Sequence, residues 1–177
     1  MTDPVGFIGL GVMGAGMARN ILKAGFPLVV TTSSEDKAAR FRDDGATVVD
    51  SPRAVAEAAG IVVTCVPDAA ALKGVVESEA GLSAADWTDG LLIDCSTIAP
   101  FEAREVADIL AASSVRMIDG PVSGGSKGAA EGTLTIMVGG DEADIDRARP
   151  VLEAMGKNIH HVGPLGAGQA VKACNQL

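Results

Sequence analysis

The chain has 177 residues, with 14 Lys and Arg against 23 Asp and Glu, for a formal net charge of −9. That balance argues against a broad basic face for nucleic acid, and no apolar run approaches the roughly 20 residues that span a bilayer. The length suits one domain with a sizeable core, and with no Tyr and one Trp that core is drawn from Val, Ile, Leu, Ala and Met.

The first element is the most informative. Val5-Gly6-Phe7-Ile8 reads as a short buried strand that runs into Gly9, Gly11 and Gly14, and residues 12–24 read as a helix closed by Gly25. Strand, GxGxxG and helix in that order form the dinucleotide-binding fingerprint. Gly9 permits the tight turn, Gly11 lets backbone approach a pyrophosphate, and Gly14 lets the helix pack close to the sheet. Leu10, Val12 and Met13 lie among these glycines and count with them as cofactor contacts. Free N–H groups and the dipole at the helix start favour phosphate charge.

The next strand is expected at 27–31. An acid for the ribose of NAD normally follows it, but here the place reads Thr31-Thr32-Ser33-Ser34. Thr32 and Ser33 can bond a ribose or a 2′-phosphate, or Ser33 or Ser34 simply caps the next helix. Glu35 and Asp36 would repel a 2′-phosphate, and Lys37 and Arg40 partly offset them. The cofactor is therefore NAD or NADP, tilted slightly to NAD.

Helices at 34–44, 52–59, 69–76 and 100–112 alternate with apolar strands at 61–66, 91–95 and 115–119. Uninterrupted apolar runs suit strands buried on both faces, and repeated βα units imply a doubly wound, mostly parallel α/β sheet of the Rossmann kind. Loops at the carboxyl ends of such strands face the ligand crevice. Val66 and Pro67 can cover the cofactor there, and Thr97 can reach its ribose or nicotinamide, unless both segments are plain turns.

After Asp119 the rhythm changes, with five glycines in residues 120–132. Ser123, Gly124 and Gly125 can offer a hydroxyl and backbone N–H groups to a substrate carboxylate, or form a flexible turn. A strand at 134–138, a helix at 141–155 and a strand at 158–162 extend the sheet with mixed direction, the first free to run antiparallel. A turn at 163–168 opens a final helix. Lys172, Asn175 and Gln176 share one face of it, and Gly168 on that face leaves room for a ligand. A lysine beside two amides is a workable acid/base group, or a solvated surface lysine.

This last helix has no stop signal, so the chain is expected to be shorter than a working protein. Residues 1–163 are expected to form the dinucleotide-binding domain, and 164–177 the start of an interdomain helix. His160 and His161 would point to opposite faces of a strand. Cys65, Cys95 and Cys174 lack metal-ligand spacing. No metal is expected, and a reduced cytoplasm without a signal peptide fits.

Taken together, these segments resemble the β-hydroxyacid dehydrogenase family. The matching residues are Gly6-Phe7-Ile8-Gly9-Leu10-Gly11-Val12-Met13-Gly14, Asp119-Gly120-Pro121-Val122-Ser123-Gly124-Gly125, Gly132-Thr133-Leu134-Thr135-Ile136-Met137-Val138-Gly139-Gly140, and Gly166-Ala167-Gly168-Gln169-Ala170-Val171-Lys172. Gly120 stands where relatives usually have Ala. Val30-Thr31-Thr32, Val66-Pro67-Asp68, Gly156-Lys157-Asn158-Ile159 and Asn175-Gln176 tilt the resemblance to the tartronate semialdehyde reductases over the 3-hydroxyisobutyrate dehydrogenases. The resemblance implies that Lys172 is the general acid in reduction, that Ser123, Gly124 and Gly125 hold the substrate carboxylate, and that Asn175 and Gln176 orient substrate and lysine. It implies a small carboxylated aldehyde or hydroxy acid as substrate. It also implies a helical second domain after Leu177 that closes the pocket and builds a homo-oligomer.

Overall fold

The computed structural model describes residues 3–175. Its elements are β1 (Val5–Ile8), α1 (Val12–Lys23), β2 (Leu28–Thr31), α2 (Glu35–Asp43), β3 (Thr47–Val48), α3 (Pro52–Ala58), β4 (Ile61–Thr64), α4 (Ala69–Glu77) and a 3₁₀ turn at Leu82–Ala84. They continue through β5 (Leu91–Asp94), α5 (Pro100–Ala111), β6 (Arg116–Asp119), β7 (Val122–Ser123), α6 (Gly125–Glu131), β8 (Leu134–Gly139), α7 (Glu142–Met155), β9 (Gly156–Gly163) and α8 (Ala167–Asn175).

The strands form one sheet in the order β3-β2-β1-β4-β5-β6-β8-β7, with β9 paired to β8. The first six are parallel, and β8 runs antiparallel to β6 and β7 and parallel to β9. The doubly wound sheet and its mixed extension are as the sequence predicts. Alternation along each strand feeds two cores. Phe7, Val30, Val63, Ile93 and Ile118 pack under Met17, Ile21, Ile145 and Leu152 of α1 and α7. On the other face Ile8, Val29, Val62, Leu92 and Met117 pack with Val55, Leu72, Val106 and Leu110 of α3, α4 and α5. Both faces are covered, which is why these strands carry almost no polar residue before their last position.

Those last positions are level across the sheet. Ile8 pairs in register with Thr31 and Thr64, Thr64 with Asp94, and Asp94 with Asp119. The order reverses between β1 and β4, and such a switch point opens a crevice at the carboxyl ends of the strands.

Besides the 3₁₀ turn at Leu82–Ala84, three elements are not predicted by the sequence: β3, β7 and α6. β3 and β7 have only two residues each, too few for a periodic signal. α6 reads Gly-Ser-Lys-Gly-Ala-Ala-Glu, a sequence of poor intrinsic helix propensity. Tertiary packing holds it instead. Asn20 Nδ2 of α1 donates to Ala129 O at 2.7 Å, at the carbonyl end of α6. Gly16 makes the approach possible, because a Cβ there would stand 2.8 Å from the Ala129 carbonyl. Among the described residues no helix is long and apolar enough to cross a membrane.

Candidate active site

The carboxyl ends of β1, β4 and β5, the start of α6 and the body of α8 surround one crevice with two lobes. The first is a groove of about 600 Å³ over the glycine turn, and the second is a cavity of about 510 Å³ that reaches Ser123 and Lys172.

Gly9, Leu10, Gly11, Val12, Met13, Ser33, Val66 and Pro67 all line the groove. Gly9 has φ +101°, and a Cβ on it would collide with Cys65 O. Gly14 lies beneath, where a Cβ would collide with Gly9 O and stand 3.0 Å from Phe7 Cε1. Gly11 differs from both, since a Cβ there would meet nothing within 4 Å. Its bareness serves nothing inside the protein. α1 begins at that open glycine with no side-chain cap and no acid in its first turn. By contrast Ser51 caps α3 and Asp68 caps α4. An uncapped helix start at the floor of a groove suits a diphosphate.

The segment after β2 divides its hydroxyls. Thr32 Oγ1 accepts from Ser34 N at 3.3 Å and serves the local turn, whereas Ser33 is exposed to the groove. Ser34 sits at the N-cap of α2 without making a side-chain capping bond. Glu35 is turned to Arg42 at 2.7 Å. Lys37 lines the groove, and with Arg40 it also lines an adjoining pocket beside Gly11 and Val12.

In the second lobe Lys172 Nζ donates to Val122 O at 2.8 Å. Val122 and Ser123 form β7, pinned to β8 through Ile136 and Thr135. Gly124 and Gly125 have φ +134° and +65°, backbone that a side chain would strain, and they present an α6 start with no side-chain cap. Thr97 and Asn175 line the same cavity. Lys172, Asn175, Ser123, Gly124, Gly125 and Thr97 are thus brought together. Gln176 lies outside the described residues.

Gly168 corrects the sequence reading. It faces the protein, not a ligand. A Cβ there would collide with Met137 O and stand 2.7 Å from Asp119 Oδ2, so its bareness lets α8 press onto β8.

The floor of the cavity is apolar and uncharged on its thiol side. Burial, with Asp94 nearby, pushes the Cys65 thiol up to about 11, and burial pushes Cys95 well above the usual range. Neither is a nucleophile at neutral pH. Beneath lie two carboxyl groups that sequence reasoning did not single out. Burial raises Asp94 above its ordinary value, opposed by hydrogen bonds from Ser96 and Thr64 and reinforced by Asp119. Burial also raises Asp119, opposed by the N–H groups of Gly166 and Gln169. Their signal was available: an acid closing a buried apolar strand requires internal partners. Among the described residues no group of three or more His, Cys, Asp or Glu is placed to hold a metal ion.

Known proteins resemble this chain along nearly all of its length. The family model described as the NAD binding domain of 6-phosphogluconate dehydrogenase matches residues 4–163. A probable mitochondrial 3-hydroxyisobutyrate dehydrogenase of Dictyostelium discoideum is 47% identical over 173 residues, covering 98% of this chain and 54% of that protein. The 2-hydroxy-3-oxopropionate reductase of Escherichia coli (strain K12) is 43% identical over 173 residues, covering 98% of this chain and 59% of that protein. A solved 3-hydroxyisobutyrate dehydrogenase of Mycobacterium tuberculosis with L-serine superposes with a TM-score of 0.92 at 39% identity, covering 99% of this chain and 59% of that one. The chain therefore spans little more than half the length of these relatives.

Proposed function

Because this chain belongs to the 3-hydroxyisobutyrate dehydrogenase family, as its NAD-binding domain, we propose that it supplies the cofactor site and the proton donor for reduction of a small carboxylated semialdehyde, tartronate semialdehyde to glycerate. The observation that carries this reading is the Lys172 ammonium set against the Ser123 strand in a cavity rimmed by Thr97 and Asn175. Hydroxyls and an amide around the lysine suit a substrate whose α-carbon bears a hydroxyl group.

The residues present fit a nicotinamide dinucleotide. The open Gly11 and the uncapped start of α1 would hold its diphosphate, Ser33 its adenosine ribose, and Val66, Pro67 and Thr97 the path to the nicotinamide. Bound there, the reduced cofactor supplies a hydride to the aldehyde carbon. Ser123 and the N–H groups at Gly124 and Gly125 hold the substrate carboxylate. In the free protein Lys172 Nζ donates to Val122 O, and in the complex the aldehyde oxygen takes that place as acceptor. As charge grows on this oxygen, Lys172 gives it a proton, leaving an alcohol and a neutral amine that solvent reprotonates. Asn175 holds the oxygen and the amine in line. In the oxidative direction the neutral amine is the base.

A substrate panel tests the reading, run on the full coding product that contains this sequence. The expected result is a kcat/KM for tartronate semialdehyde at least about tenfold above that for methylmalonate semialdehyde, about 1.4 kcal/mol. The reverse order would instead favour a 3-hydroxyisobutyrate dehydrogenase, and turnover of neither would leave a dinucleotide-binding module.

Cofactor choice is expected to be soft, with NADH slightly preferred. The segment Thr31-Thr32-Ser33-Ser34 holds neither a ribose-binding acid nor an arginine, but Lys37 lines the groove and Glu35 is turned to Arg42. Side-by-side titration checks this, and NADPH binding more than about tenfold tighter than NADH, about 1.4 kcal/mol, would contradict it.

A further inference from the structure

We infer that Asp119 and Gln169 are positioning residues, which fix the first turn of α8 so that Lys172 is held over the Ser123 strand. Asp119 is fully buried at the end of β6. Its Oδ1 accepts from Gly166 N at 2.6 Å and its Oδ2 from Gln169 N at 2.8 Å, so both oxygens cap the start of α8. The fit is tight, because a Cβ on Gly139 would collide with Asp119 Oδ1 and one on Gly168 would stand 2.7 Å from Oδ2.

Gln169 is 1% exposed and uses both ends of its amide. Nε2 donates to Ser96 O at 2.8 Å, and Oε1 accepts from Ile98 N at 3.2 Å. The residue between these two contacts is Thr97, which lines the cavity. Ser96 in turn accepts from Val66 N at 3.0 Å and donates to Asp94 Oδ1 at 2.6 Å, and Thr64 donates to the same oxygen at 2.8 Å. One buried polar network thus joins the Val66 wall of the groove, the Thr97 loop and the lysine helix. Lys172 lies one turn beyond Gln169. A buried network of this kind favours a single arrangement over near alternatives, since each slip strands a polar group away from water. An apolar contact between α8 and the sheet would bury similar area without fixing the register of the helix against the Thr97 loop.

The catalytic meaning of this clamp rests on Lys172 being the acid, but its action on Lys172 can be read without turnover. Lysine reactivity is measured by reductive methylation with formaldehyde and dimethylamine–borane, quantified by peptide mass spectrometry. The ratio of Lys172 to Lys157 labelling is taken within each molecule, Lys157 being exposed on β9. Wild type, Gln169→Leu and Gln169→Glu are compared at about pH 6.5 and about pH 9.5, chosen to bracket the raised pKa of a buried glutamic acid. Wild type at each pH corrects for every pH-dependent change that does not come from residue 169.

Gln169→Leu is expected to raise the ratio at least about threefold at both pH values, by freeing the turn to open locally. Gln169→Glu is expected to match wild type at the lower pH, where a protonated carboxyl group can still donate to Ser96 O and accept from Ile98 N. It should match Gln169→Leu at the higher pH, where a carboxylate would face the Ser96 carbonyl. Helix packing alone would leave Gln169→Leu, an apolar side chain of similar size, at the wild-type ratio. A Gln169→Leu ratio equal to wild type, or a Gln169→Glu ratio that does not change with pH relative to wild type, would overturn the inference. If Gln169→Leu does not fold, Gln169→Met, which keeps the length and loses the amide, takes its place with the same expected and overturning results. A failed substrate panel leaves this result standing, so the two readings fall separately.

Discussion

Lys172→Ala is expected to lower kcat by about 10²–10⁴-fold while NADH affinity changes little, the pattern of an interaction used in the transition state alone. The ammonium lies in the second lobe, against Val122 O, and does not line the groove over the glycine turn. Removing it should leave the cofactor contacts proposed for Gly11, Ser33 and Val66 in place. Lys172→Arg sharpens the test. A guanidinium keeps the charge and can hydrogen-bond the carbonyl oxygen, but it does not release its proton in proteins. If the lysine serves only as a fixed charge, the arginine variant should recover most of the activity. Proton transfer predicts that it stays close to the alanine variant. Near-wild-type turnover by Lys172→Ala on the preferred semialdehyde would remove the central residue of the mechanism.

Much of this fold was legible because it is written in long-range repetition. The strands at Val5–Ile8, Leu28–Thr31, Ile61–Thr64 and Leu91–Asp94 are apolar on both faces, and only a sheet covered on both sides asks for that. α6 was not legible. Its stability comes from Asn20 and Gly16, more than a hundred residues away in sequence, and local propensity points against a helix there.

The candidate site shows the same division. Glycines that serve the chain's own packing and glycines that leave room for a ligand look alike as letters. Gly14 and Gly168 are bare because backbone of the sheet or its turn lies against them, and Gly11 is bare with nothing of the protein near it. Gly168 was misread for that reason. Asp119 and Gln169 were passed over for a related one. Their partners are backbone groups of Gly166, Gln169, Ser96 and Ile98, drawn from two separate segments, and no spacing within one element encodes such a contact.

The distinction between the glycines yields the second large effect. Gly11→Val is expected to weaken NADH binding at least about 100-fold, about 2.7 kcal/mol, with no loss of fold. Gly11 has φ −75° and ψ −166°, backbone that valine adopts freely. Apart from its own chain neighbours, no residue comes within 4 Å of the added Cβ, so the branched side chain has room in the free protein. It fills instead the space above the start of α1, where the diphosphate must approach the N–H groups of the first turn. Gly14→Val is the contrasting variant. Its Cβ would collide with Gly9 O, and the protein should lose stability and binding together. Thermal denaturation and NADH titration of the two variants separate the cases. Saturable NADH binding by Gly11→Val at wild-type affinity would show that the diphosphate does not sit on this turn, and the assignment of the groove would fall with it.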